Sequence, residues 1–329
     1  MIPSLRELEA AHAATARVAQ ETPLLRSAAL ARATGARAVH VKAESLQWTG
    51  SFKLRGAYWR LRQLAPEDAA RGVVAHSSGN FAQGLAAAGA ALGVPVTIVM
   101  PADAPAAKRQ AAQDHGATVI STEHGDRPRE EVAAERADAI AADEGLVRLH
   151  PFDDPHVVAG QAGVGMEALD QYERLGTQAD IVLCCVGGGG LIAGVAAAFH
   201  HRSPETRVVA VEPEGFDGMG RSLAAGAALT VPLGAPSICD GLMARRPGAA
   251  PFAVVQAAGV AGVAVGDAAV RRAMRFAFER LKLVLEPSGA AALAALLDGA
   301  VDVDGRRVMV VATGGNVALE AFMRHVGHG

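Results

Sequence analysis

The sequence predicts an α/β fold built on a parallel sheet, and three observations lead there. From about residue 73 short β-branched runs alternate with alanine-rich helical segments, the pattern of repeated βα units. Half of the residues are hydrophobic but only 4% are aromatic, so Ala, Val and Leu must fill the core, and such small side chains let helices and strands approach closely. Gly 37 and Pro 16 are not far above ordinary usage, which marks a folded, glycine-punctuated chain and excludes a low-complexity one. At roughly 150 residues per domain, the length of 329 points to about two domains.

In chain order, MIPSLRELEAAHAATARV carries charges every few residues and reads as a helix, without the continuous apolar core of a signal peptide. Strands are expected at Val73 to His76, Val96 to Met100, Thr118 to Ser121, Ile181 to Val186, Arg207 to Val211 and Val308 to Ala312, with Gly145 to Arg148 as a short further one. Between them the alanine-rich stretches predict helices at Phe81 to Leu92, Ala106 to His115, Arg129 to Asp143, Gly160 to Leu175, Leu191 to His201 and Asp267 to Leu281. In the last, Val270, Met274, Phe278 and Leu281 recur at helical spacing and are read as core. The weakest joints lie near Gln63 to Arg71 and near Arg148 to Pro155, where His150, Asp153 and Asp154 are within reach of the pocket but are read as joint residues. Cutting there gives a small domain, 67–149, inserted into a discontinuous larger one, 1–66 and 150–329.

Thirty-one basic and 34 acidic residues give a net charge of -3 with no block of like charge, so neither nucleic acid nor an anionic membrane is expected as partner. Cys184, Cys185 and Cys239 are odd in number, and two are adjacent in an apolar run, which fits a reducing cytoplasm. Residues 181–199 are uncharged for nearly the length of a membrane span, but the four glycines at their centre argue against a membrane helix.

Four segments carry chemistry. Gly187 to Gly190 follow the strand IVLCCV and precede the helix LIAGVAAAF; glycines bring backbone N–H groups close to a ligand, and the helix N-terminus adds partial positive charge, so a phosphate is a reasonable guest. The same segment fits a dinucleotide fingerprint through Gly188, Gly190 and Ala193, with Glu212 placed for a ribose, as in a nicotinamide-dependent dehydrogenase. Lys53, in ESLQWTGSFKLRG, lies beside Phe52 between the polar turn Thr49, Gly50, Ser51 and an apolar helix start. It is either a surface lysine or, if desolvated, a neutral amine able to form a Schiff base. Ser77, Ser78, Gly79 and Asn80 end the strand VVAH and open a helix, as ordinary caps or as a cradle for a substrate carboxylate; Thr313 to Asn316 sit likewise after VMVVA.

Together these motifs resemble the fold-type II pyridoxal-phosphate enzymes, and within them the serine/threonine dehydratase and serine racemase group, from about Leu24 to Val317. The resemblance implies a tryptophan synthase β-like fold of two three-layer αβα domains with parallel sheets, and a homodimer. It makes Lys53 the lysine that holds the cofactor as a Schiff base and then removes the Cα proton. Asn80 would bond the pyridoxal 3'-oxygen, Gly187, Gly188, Gly189 and Gly190 the phosphate, and Thr313 would face the pyridine nitrogen, with Phe52 and Glu286 beside the ring. Ser77, Ser78, Gly79 and Asn80 would hold the substrate carboxylate. The implied reaction is β-elimination from L-serine, L-threonine or another 3-hydroxy amino acid, giving a 2-oxo acid and ammonia.

The sequence departs from the family pattern at Phe81, where many relatives have histidine, which makes the pocket wall more apolar. It departs again at Gly218, where the second carboxylate of a divalent-cation loop is expected; Glu212 is kept and Asp217 falls one residue early, so Mg2+ is left without a full ligand set and no metal-binding residue is assigned. The chain ends a few residues after the TGGN helix, so feedback control by a regulatory domain is not expected. Ser78 matches the hydroxyl that protonates the opposite face in serine racemases, which keeps racemisation as the alternative activity.

Overall fold

The structure is a computed structural model and describes residues 1–104, 106–232 and 236–327. Among the described residues there are ten strands, β1 (Leu24–Arg26), β2 (Ala38–Ala43), β3 (Val73–His76), β4 (Val96–Pro101), β5 (Thr118–Thr122), β6 (Val147–Arg148), β7 (Ile181–Cys185), β8 (Arg207–Pro213), β9 (Ala261–Val265) and β10 (Arg307–Ala312). They form a six-stranded sheet in the order β1-β2-β10-β7-β8-β9 and a four-stranded sheet in the order β5-β4-β3-β6. Every pairing is parallel except β1 with β2, where Leu24 faces Lys42 and Arg26 faces His40 in an antiparallel edge.

Both sheets are covered on both faces, as parallel sheets require. In the larger one, Val308, Val310 and Ala312 of β10 point with Leu183 and Val209 into a core closed by helices Asp267–Phe276 and Pro287–Leu297. Met309 and Val311 point with Val182 and Ala210 into the opposite core, closed by helices Gly163–Arg174 and Gly190–Arg202. The four-stranded sheet packs Ala75, Ile98 and Met100 against helices Lys53–Arg62 and Asn80–Leu92, and Val74 and Val99 against helix Arg129–Glu144. No helix among the described residues is long and apolar enough to cross a membrane; the uncharged run 181–199 divides into β7, the glycine turn and a helix.

The structure departs from the sequence-based expectations where local pattern and tertiary packing disagree. The expected helix Asp267 to Leu281 ends as α-helix at Phe276 and continues as a wider π turn, Ala277–Leu281. Val270, Ala273, Met274 and Ala277 form the buried stripe at i, i+3, i+4, i+7, and Phe278, expected in the core, falls beside it and is 51% exposed. The expected helix Gly160 to Leu175 is two, Pro155–Gln161 and Gly163–Arg174, the first started by the Asp154 carboxylate, which accepts from the His156 and Val157 N–H groups. Strands β1, β2 and β9 had no expectation. β2 reads AVHVKA, and its His40 and Lys42 mask a strand that is buried almost throughout.

Candidate active site

The turn bearing Lys53 is stitched to the turn after β10. Ser51 bridges Gly314, the Phe52 N–H donates to Thr313 O at 3.4 Å, and the Gly315 N–H donates to Gly50 O at 2.9 Å. Asn316 Nδ2 donates to Thr49 O at 3.0 Å, and a Cβ on Gly50 (φ 72°) would stand 2.1 Å from Asn316 Oδ1, so only glycine fits there. Two motifs more than 260 residues apart in sequence thus form one wall.

Lys53 opens helix Lys53–Arg62. Its Nζ donates to Pro151 O at 3.3 Å and lies 5.1 Å from the Phe52 ring and 5.8 Å from the Phe81 ring. Burial pushes the ammonium down to about 8, against the pull of nearby Cys185 and Glu286, so the neutral amine is a far larger fraction near physiological pH than in an exposed lysine and predominates above pH 8. The Glu286 carboxyl is raised to about 7, mainly by its own burial and then by Asp240. Its Oε1 accepts from Asn80 Nδ2 at 2.5 Å, and Asn80 Oδ1 accepts from Asn316 Nδ2 at 2.8 Å. At the ends of β10 and β7, Thr313 Oγ1 and Cys185 Sγ are hydrogen-bonded at 3.3 Å, with the thiol pushed up to about 11 by burial.

The glycine turn meets the segment that supplies the Lys53 acceptor, since Gly188 and Gly190 face Phe152, the residue after Pro151. Gly189 has φ 104° and caps helix Gly190–Arg202 without any side-chain acceptor. A Cβ on Gly188 would fall within 2.1 to 2.3 Å of the Phe152 ring, and one on Gly187 would meet Gly241 O at 2.8 Å, so neighbouring residues as well as conformation demand glycine. Among the described residues no protein acceptor meets the backbone N–H groups from Gly187 through Ile192. A row of free N–H groups at a helix N-terminus suits a phosphate, and a desolvated amine across the pocket suits an aldehyde. The site therefore fits a phosphorylated aldehyde cofactor.

Lys53, Phe52, Asn80, Glu286, Thr313 and Gly187 to Gly190 are accordingly brought together. Ser77 Oγ accepts from the Gly79 N–H at 3.2 Å and shapes the turn before Asn80. The Ser78 hydroxyl donates to Glu130 Oε1 at 3.0 Å on helix Arg129–Glu144. Glu212 is not free for a ribose or a cation: its two oxygens accept from the Met219 and Gly220 N–H groups, both at 2.8 Å, and so start helix Gly218–Ala225, while Asp217 pairs with Arg221 at 2.8 Å.

His150, read from sequence as a joint residue, stands beside the amine, since the next residue supplies the Lys53 acceptor. Asp153 and Asp154 are joints: Asp154 pairs with Arg60 at 2.6 Å and Asp153 accepts from the Ala250 N–H at 2.9 Å. Sequence reasoning missed the buried cluster behind Lys53. There Arg55 forks onto Glu44 and Glu167 at 2.8 to 3.0 Å, and Lys42 meets Glu167 at 2.5 Å. The available signal was Glu44 and Arg55 flanking the Lys53 motif, opposite charges eleven residues apart.

Comparison with known proteins places residues 16–314 under the family model "Pyridoxal-phosphate dependent enzyme". An L-threonine ammonia-lyase of Thermotoga maritima is 38% identical over 99% of this chain and 79% of its own length. An L-threo-3-hydroxyaspartate ammonia-lyase of a Pseudomonas species is 38% identical over 92% of each chain. The solved structure of maize serine racemase, 31% identical, superposes with a TM-score of 0.90 over all of this chain and 99% of that one.

Proposed function

The chain belongs to the pyridoxal-phosphate dependent enzyme family, and from that premise we propose that it is an ammonia-lyase that eliminates the β-hydroxyl of a 3-hydroxy L-amino acid, releasing a 2-oxo acid and ammonia. The observation that carries the reading is the desolvated Lys53 amine, set opposite a glycine turn whose N–H groups have no protein acceptor. When bound, pyridoxal phosphate would supply the electron sink that makes the substrate Cα proton removable. Gly187 to Gly190 would hold the phosphate; Phe52, Asn80, Glu286 and Thr313 would orient the ring. Lys53 Nζ, in its deprotonated form, would take the Cα proton. The C–H electron pair would then form the Cα=Cβ bond as the hydroxyl leaves with the Cβ–O pair and is protonated to water; the released enamine tautomerises to an imine, which water hydrolyses to the 2-oxo acid and ammonia. Ser77, Gly79 and Asn80, at the start of helix Asn80–Leu92, would position the substrate carboxylate with Ser78.

Incubating the cofactor-loaded protein with L-serine, L-threonine and L-threo-3-hydroxyaspartate should release ammonia and 2-oxo acid in equal amounts. Accumulation of the D-enantiomer with little oxo acid would replace this reading by racemisation. That second reading rests on Ser78, whose hydroxyl already has in Glu130 an acceptor for its proton. We take the chain to act on small molecules in the cytoplasm, in keeping with its three free cysteines, and as a homodimer, as the family resemblance implies. Its domain division is taken as 67–149 within 1–66 and 150–329; Leu54, Ala57, Tyr58 and Leu61 of the Lys53 helix pack into the core of the small sheet and so span the joint.

A further inference from the structure

We propose that His76 and His150 form a paired imidazole donor site for a second carboxylate on the substrate, so that the preferred substrate is an acidic 3-hydroxy amino acid of the 3-hydroxyaspartate class. This rests on the lyase reading and narrows it.

Strands β3 and β6 pair in parallel, Val73 with Val147 and Val74 with Arg148, and the Leu149 N–H donates to Val74 O at 2.9 Å. Two residues further along that register, His76 and His150 stand side by side on one face at the carboxyl edge of the sheet, where parallel sheets collect ligands. His76 directly precedes Ser77 of the carboxylate cradle, and His150 directly precedes Pro151, the acceptor of Lys53 Nζ. His76 is thus close to His150, and His150 to Lys53, and in this proposal the substituent on the substrate Cβ projects toward the pair.

Both rings have a fixed tautomer. Arg148 Nη2 lies 2.6 Å from His76 Nδ1, and a guanidinium only donates, so Nδ1 accepts and the proton sits on Nε2. The Asp153 N–H donates to His150 Nδ1 at 2.8 Å with the same result. Neither Nε2 has a protein partner among the described residues, and neither is among the buried polar atoms, so both N–H groups open to solvent. The charged groups around the pair are Arg148, held by Asp138 at 2.6 Å and Leu149 O at 2.7 Å, together with Asp153, Asp154 and Lys53. Burial and Arg148 push His76 down to about 4, and burial lowers His150, so both remain neutral donors at working pH. The Arg148 charge behind His76 polarises its Nε2–H and favours an anionic acceptor over a neutral one. A carboxylate satisfies both donors, whereas the methyl group of threonine or the hydrogen of serine leaves them unmatched.

The test is steady-state kinetics of the cofactor-loaded enzyme on L-threo-3-hydroxyaspartate, L-threonine and L-serine, for the wild type and for His76→Phe, His150→Phe and His76→Gln. Expected are a wild-type kcat/KM for 3-hydroxyaspartate about tenfold or more above that for threonine, and a collapse of that ratio by a similar factor in either Phe variant, chiefly through KM. His76→Gln, which keeps a donor, should retain most of the ratio. In parallel, succinate should raise the melting temperature of the loaded wild type more than butyrate does, and lose that advantage in the Phe variants. Turnover of serine or threonine in preference to 3-hydroxyaspartate, or a ratio untouched by the Phe variants, overturns the proposal while leaving the lyase reading intact. Absence of ammonia from every substrate overturns the lyase reading, and the succinate comparison then decides the donor site by itself.

Discussion

Arg55→Met should destabilise the fold more than any other single change near Lys53. Arg55, Lys42 and Glu44 are fully buried and Glu167 is 6% exposed. Two cations and two carboxylates balance one another, completed by Thr22 Oγ1 on Glu44 at 2.5 Å and by Lys42 on Thr22 O at 2.7 Å and Gln171 at 2.9 Å. Removing the guanidinium leaves Glu167 with Lys42 but strips Glu44 of both charged bonds, and uncovering one member of such a buried set costs about 3–5 kcal/mol. An unfolding entropy of about 2.1 cal/mol/K per residue over 329 residues is about 0.7 kcal/mol/K, so scanning calorimetry should show a melting temperature lower by about 4–7 °C. Arg55→Met with Glu44→Leu removes the stranded carboxylate as well and should regain about 1 kcal/mol or more of the loss. A drop below about 1 °C, or a double variant as unstable as the sum of the singles, would refute the argument that this cluster anchors the Lys53 helix.

Three further outcomes follow from the site. Because burial lowers Lys53 to about 8, its rate of modification by an aldehyde should rise with pH and level off above about 8, whereas an exposed lysine follows its ordinary value near 10.4; a midpoint near that ordinary value would show the amine to be solvated. Glu286 has a folded-state value of about 7 against 4.5 unfolded, so its burial costs stability progressively as pH rises from about 4.5 to 7. Glu286→Gln removes that dependence, and its melting temperature relative to wild type should climb across this window; a flat difference contradicts the assignment. Gly188→Ala should weaken cofactor binding and lower stability by about 1–3 kcal/mol, since its Cβ meets the Phe152 ring. Adding Phe152→Leu should recover much of the stability, and no recovery would show that the ring is not the obstacle.

The central strands were readable because of β-branched runs such as VVAH and IVLCCV, and three site motifs, those at Ser77, Gly187 and Thr313, were readable because each occupies the turn at the carboxyl end of such a strand. What stayed hidden depends on tertiary context. Lys42 makes β2 look like a surface segment, and only its partners Glu167 and Gln171, 125 and 129 residues away, explain its burial. Helix Pro287–Leu297 has no polar face to set a period, because both sides are covered. The Asn80–Glu286 bond spans 206 residues, and nothing local announces it. Ser78 had the right neighbours in sequence, yet its hydroxyl turns to Glu130 on a helix whose position no motif encodes.

The claim on which the rest depends is that Lys53 is the amine that holds the cofactor. The protein loaded with pyridoxal phosphate, reduced with borohydride, digested and mapped by mass should carry the reduced cofactor on the peptide containing Lys53, and Lys53→Ala should bind no cofactor covalently. Label on Lys42, Lys108 or Lys282, or label that persists in Lys53→Ala, would contradict the account.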